Sequence, residues 1–91
     1  MLTPAPSRKY LADVKRAQKQ GKNLDLLVWV VNQLCLELTL PQKYRVHKLK
    51  GEYAGLSELH IQDDWLLIYR RMDGDKLELM RTGSHATLFG R

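Results

Sequence analysis

LSELHIQDDWLLIYRRMDGDKLELMRT, residues 56–82, decides the fold. Leu56–Ile61 and Trp65–Arg71 are rich in aliphatic and aromatic residues and read as two strands joined by a tight polar turn at Gln62-Asp63-Asp64. Asp73-Gly74 is a strong hairpin signal, and Lys76–Thr82 supplies the strand that follows it. Upstream, Tyr44–Leu49 is a basic segment that reads as strand or loop, with Gly51 and Gly55 punctuating the stretch that links it to the hairpins. The second half of the chain is therefore an antiparallel meander of three to four strands.

The first half is helical. Met1 to Pro6 can form at most a short edge strand, because Pro4 and Pro6 lack ladder donors. Ser7 is placed to cap a helix from Arg8 to about Gln20, with Tyr10, Leu11, Val14 and Ala17 on one face and Gly21 ending it. Arg8, Lys15, Lys19 and Lys22 form a stripe on the opposite side. Asn23 can cap a second helix, in which Leu24, Leu27, Val28, Val31, Leu34, Cys35 and Leu38 recur at helical spacing. That pattern predicts a helix running to about Thr39, just before Leu40-Pro41, with Cys35 in the core and Trp29 and Leu36 outside the buried stripe. A helix pair needs an apolar surface to cover, and a meander provides one. The predicted fold is a two-layer α+β domain spanning residues 1–91, with the second sheet face free for function.

Composition narrows the class. The 91 residues carry 15 Lys/Arg against 10 Asp/Glu, a net charge of +5. Residues 1–50 hold ten of the bases and three acids, for a net +7, while residues 51–91 come to −2. A basic half points to a polyanion, an acidic partner, or a solvated basic surface. The longest strictly apolar run, Leu26–Val31, is far too short to cross a bilayer, and no secretory leader pattern opens the chain. One cysteine excludes an internal disulfide and a cysteine-rich zinc site. The expected compartment is the cytoplasm, with no membrane association.

Three histidines, His47, His60 and His85, lie in three different candidate elements, so only the fold can bring them together. His60 precedes Asp64 by four residues across a tight turn, and His85 follows shortly after Arg81. Imidazole beside a carboxylate transfers protons near neutral pH, and an arginine can hold a phosphate bidentately. Together they form a kit for cleaving a phosphodiester without metal. Unrelated surface histidines and a metal site remain the alternatives. The latter needs a folded cluster, since no HxH or HxxxH pair is present.

Three stretches carry a resemblance: Glu58–Arg70 (ELHIQDDWLLIYR), Arg81–Gly90 (RTGSHATLFG) and His47-Lys48-Leu49-Lys50-Gly51. In this order and spacing they resemble the YafQ branch of the RelE superfamily of toxins, from about Tyr10 to Gly90. The resemblance implies a RelE-like microbial ribonuclease fold and a cytoplasmic mRNA interferase without cofactor or metal. Such a toxin enters the ribosomal A site and cuts mRNA to a 2′,3′-cyclic phosphate (or 3′-phosphate) and a 5′-OH, and a cognate antitoxin neutralises it. Carried over by position, the catalytic residues are His47, His60, Asp64, Arg81 and His85. His60 with Asp64 is expected on the base side, with His85 as acid, Arg81 on the phosphate, and His47 positioning the phosphate or sharing proton transfer.

RNA contacts are expected from Phe89, Lys48, Lys50 and the Lys15, Lys19 and Lys22 stripe, which could equally meet an acidic antitoxin segment. Trp65 reads as core. Two positions depart from the family pattern: Ser57 replaces a common basic residue, and Asp63 a common proline. Strict alternation also puts Arg81 on the face of Leu77 and Leu79 unless a bulge shifts it. A non-catalytic basic RNA- or ribosome-binding module with the same fold is the alternative from another class.

Overall fold

The structure, a computed structural model, describes residues 1–90. A short strand β1 (Thr3–Pro6) leads into α1 (Arg8–Lys19) and α2 (Leu24–Cys35). Then come β2 (His47–Lys48), β3 (Ser57–Gln62), β4 (Trp65–Met72), β5 (Lys76–Gly83) and a terminal helix α3 (His85–Phe89). The sheet order is β1-β5-β4-β3-β2, antiparallel throughout except for the parallel β1–β5 edge. The meander thus has four strands, and the two prolines of β1 lie on the outermost strand, as their missing donors require.

Both predicted caps are made. Ser7 Oγ accepts from Tyr10 N at 3.0 Å, and Asn23 Oδ1 accepts from the Asp25 and Leu26 amides at 3.1 and 3.4 Å. The second helix ends earlier than its apolar periodicity suggests. Leu38 N donates to Gln33 O and Glu37 N to Leu34 O, the paired bonds of a Schellman stop, with Glu37 at a φ of 59° where glycine is usual. Without a glycine to mark it, the stop was invisible in the sequence. The buried stripe also sits one position round: Leu27, Val30, Val31 and Cys35 are buried, whereas Val28 is 56% exposed and Leu38 lies beyond the helix. Leu11 of α1 is likewise exposed. Trp29 is partly exposed and stacks at a tilt on Tyr44, ring centroids 5.8 Å apart.

The core lies between the helices and one sheet face. It contains Tyr10, Ala17, Leu27, Val30 and Val31 from the helices and Leu59, Trp65, Leu67, Tyr69, Leu77 and Leu79 from the sheet. No helix among the described residues is long and apolar enough to cross a membrane.

Two irregularities in the sheet aim side chains. Ile68 pairs with Arg81 and Tyr69 with Leu79, so Met80 is an extra residue on β5. This bulge reverses the alternation: Leu77 and Leu79 face the helices, while Arg81 joins Ile68 on the opposite face. Ser7 clamps it, donating from Oγ to Met80 O at 2.7 Å while capping α1. Ile61 is a similar extra residue on β3, between His60 and Gln62.

Candidate active site

The face opposite the helices carries His47, Glu58, His60 and Arg81. Pairing places them: His47 lies opposite Glu58, Glu58 opposite Ile68, and Ile68 opposite Arg81, while His60 lies opposite Leu66 and Leu66 opposite Gly83. At Gly83 the chain turns into α3, which brings His85 and Phe89 over the same face. A Cβ on Gly83 would come within 3.4 Å of Leu88, and its φ of +156° is one that side chains resist. The Leu88 distance is ordinary van der Waals contact, so what the glycine supplies is the backbone conformation that turns the chain into α3.

The structure redraws the expected partnerships. Asp64 does not pair with His60. Its Oδ1 accepts both the His85 backbone N–H at 3.0 Å and a bond from His85 Nδ1 at 2.6 Å. These two bonds hold the Asp64 carboxyl below its ordinary range, with Lys22 adding a smaller attraction. With Nδ1 engaged as donor, Nε2 is left as the nitrogen that can exchange a proton with substrate. His60 instead directs Nδ1 at Asp63 O, 3.4 Å away, and Nε2 at Glu58 Oε1, 3.6 Å away.

Glu58, which sequence reasoning did not single out, is 5% exposed. It lies between two imidazoles, since His47 Nε2 is 3.7 Å from the same oxygen. His47 Nδ1 meets Arg45 O at 2.8 Å, and Arg45 occupies the left-handed region at a φ of 48°. Glu58 was detectable in principle, because it has the parity of His60 along β3.

Arg81 is anchored from behind. Asp13, 3% exposed, accepts Arg81 Nε at 2.7 Å, Arg81 Nη2 at 3.1 Å, the Thr82 amide at 3.1 Å and Arg16 Nη1 at 3.2 Å. The carboxylate holds the guanidinium above its already high pKa. The Nε edge is thus occupied, and the Nη1 end remains for a phosphate. Asp13 was also missed; its signal was an acid on the buried side of a helix otherwise lined with bases.

The rings of His60 and His85 stand 5.8 Å apart, and Phe89 lies 6.3 Å beyond His85. One donor atom each from Glu58, His60 and His85 lies within 4.8 Å of the others, so the fold gathers a trio able to hold a metal ion that linear spacing did not suggest. Trp65 is core, 1% exposed, with Lys22 Nζ 5.9 Å above its ring. Lys22 also acts on the Asp64 carboxylate, whereas Lys15, Lys19, Lys48 and Lys50 are exposed and take no part in these hydrogen-bonded pairs.

Comparison with known proteins identifies the family. Residues 2–90 match the family described as the bacterial toxin of type II toxin-antitoxin system, YafQ. The chain is 41% identical to the mRNA interferase toxin YafQ of Escherichia coli K12 over 85 residues, covering 92% of this chain and 91% of that protein. Among solved structures, the E. coli DinJ-YafQ complex superposes with a TM-score of 0.89 at 36% identity, covering 99% of this chain and 100% of that one. A metal-bound toxin from Helicobacter pylori superposes at 0.91 with 41% identity, covering 98% of this chain and 100% of that one. On the motifs, the topology and these likenesses together, the chain belongs to the YafQ family of bacterial toxins from type II toxin–antitoxin systems.

Proposed function

We propose that this endoribonuclease cuts mRNA in the ribosomal A site by metal-free general acid–base catalysis, and that a cognate protein antitoxin holds it inactive. The observation that carries the reading is the convergence of two imidazole–carboxylate pairs, His60 with Glu58 and His85 with Asp64, beside a pre-anchored Arg81.

The Glu58–His60 pair takes the proton of the 2′-OH as that oxygen attacks the adjacent phosphorus. Arg81 stabilises the charge that builds on the phosphoryl oxygens. Asp13 holds it in place, so little reorganisation is needed during the reaction. His85 Nε2 gives a proton to the departing 5′-oxygen, and a 2′,3′-cyclic phosphate and a 5′-OH result. His47 holds Glu58 from the far side and sits beside the substrate phosphate. Lys15, Lys19 and Lys22, with Lys48 and Lys50, supply salt-dependent attraction to RNA phosphates. Phe89 stacks on a base.

A second reading rests on the Glu58, His60 and His85 trio and on the metal-bound Helicobacter toxin. A divalent ion held there would act as a Lewis acid on the phosphate. It would also occupy nitrogens that the first reading needs for proton transfer.

End-mapping of mRNA in a translating extract, with and without EDTA, separates the two. EDTA-resistant, codon-phased cuts ending in cyclic phosphate are expected, and His60→Ala and His85→Ala should each strongly reduce them in a folded protein. Cuts abolished by EDTA would establish the metal reading instead. Ribosome binding without cuts would leave only a binding module.

A further inference from the structure

The face that carries the histidines also holds a cavity of about 430 Å³ that none of the proton-transfer steps uses. Its volume falls in the range of small-molecule clefts. Leu56, Ile68, Met80 and Leu88 make an apolar floor. Tyr53 and Phe89 form an aromatic wall, packed edge-to-face with centroids 5.2 Å apart. Tyr53, in the one-turn helix Gly51–Tyr53, is 37% exposed and so keeps part of its surface for a ligand. The rim is cationic, formed by Arg8 and Lys9 at the start of α1 and by Arg81 at the end of β5. An apolar, aromatic-walled cleft with a positive rim matches a nucleotide, whose base is flat and apolar on its faces and whose phosphates are anionic.

We propose that this cavity receives the base of the nucleotide flanking the scissile phosphate, with Tyr53 as a base-contacting residue and Arg8 and Lys9 on the next phosphate along the strand. The inference rests on the endoribonuclease reading above and deepens it. The position follows from shared residues. Arg81 belongs both to the cavity rim and to the phosphate site, and Phe89 stands between the Tyr53 ring and the His85 ring. A base in the cavity is therefore one nucleotide from the bond that breaks. A single-stranded segment is favoured here, since a paired base would first have to be unpaired and unstacked to enter the cleft.

The test uses the whole protein, isotope-labelled at Ile, Leu and Met methyls, and a 2′-O-methyl trinucleotide, which cannot be cleaved because its 2′-oxygens are blocked. Ring currents from an inserted base should shift the methyls of Ile68, Met80 and Leu88. An abasic residue at one position of the trinucleotide should abolish those shifts and weaken binding about tenfold, in keeping with a stacked base. Tyr53→Leu should weaken binding by about the same factor, while Tyr53→Phe restores it. Arg8→Gln with Lys9→Gln should flatten the salt dependence of binding.

Binding that leaves these methyls unmoved, or a Tyr53→Leu protein that binds as tightly as wild type, overturns the proposal. So do methyl shifts produced by the cognate antitoxin and not by the oligonucleotide, which would give the cavity to a protein partner. Failure of the cavity while mRNA is still cut in a translating extract leaves the endoribonuclease reading standing. Methyl shifts in a protein that never cuts would refute that reading and keep the base site.

Discussion

Asp13→Asn should both destabilise the toxin and slow it. The side chain is 2% exposed and satisfies four donors: Nε and Nη2 of Arg81, the Thr82 amide and Nη1 of Arg16. Asparagine preserves the volume and one acceptor, so no cavity forms, but it removes the charge and turns an amide NH2 donor toward a guanidinium. Breaking a buried pair by removing one partner costs about 3–5 kcal/mol. The partners here are less buried, with Arg81 29% and Arg16 50% exposed, and their charges retain part of their hydration. The expected loss is therefore about 2–3 kcal/mol, which for a domain of this size lowers the melting temperature by about 10–20 °C. Thermal and urea unfolding would measure it, with Arg81→Met as the second arm of a double-mutant cycle. If the ion pair is what Asp13 contributes, the two losses should fall short of additivity by at least about 1 kcal/mol. Cleavage should fall about 100-fold at temperatures where the variant is folded, the scale set by displacing a positioned group by an ångström or so. A melting temperature within about 3 °C of wild type, together with normal cleavage, would refute the claim that Asp13 anchors Arg81.

Glu58→Gln, measured in the same translating extract, should lower cleavage by about 100-fold or more while leaving the protein folded; an unchanged rate would return the base role to a histidine acting alone. Ser7→Ala removes both a helix cap and the clamp on the Met80 bulge, so chemical denaturation should show a loss of about 1–2 kcal/mol, and a loss of a few tenths would mean that the bulge holds its own geometry. Gly83→Ala strains the backbone where it turns into α3 and should slow cleavage, visible as altered amide shifts for His85 and Phe89 in a folded protein, with normal shifts refuting the claim that this conformation needs glycine. The Asp64–His85 link should respond to acid. The Asp64 carboxyl titrates lower in the folded protein than in the unfolded chain, so its contribution is complete above the ordinary carboxylate value of about 3.9 and is lost as pH falls through the lower folded value. Protection of the His85 amide against hydrogen exchange, relative to its intrinsic rate and followed downward from pH 7, should be lost only below about pH 4, and a loss beginning near pH 6 would implicate another group.

Much of the fold was legible in local patterns. Ser7 and Asn23 cap the helices they precede, and the Asp63-Asp64 and Asp73-Gly74 turns join the strands they separate. The errors are local too. Val28 and Val30 compete for one stripe, and only contact with the sheet chose Val30. Glu37 ends α2 in a conformation that a sequence usually advertises with glycine.

The site divides along the same line. Sequence alone determined which groups are present: three imidazoles, an arginine, the carboxylates and an aromatic tail, in an order that resembles one toxin family. It could not determine who pairs with whom. Proximity along the chain favoured His60 with Asp64, four residues away, yet Asp64 bonds His85 across 21 residues and Asp13 holds Arg81 across 68. Those choices belong to tertiary structure, because a bulge at Met80 reverses which way Arg81 points and Gly83 lets α3 fold back onto the sheet. Local periodicity is set by each residue's near neighbours. The pairing of charges depends on which distant strand lies alongside, and that exists only once the sheet is assembled.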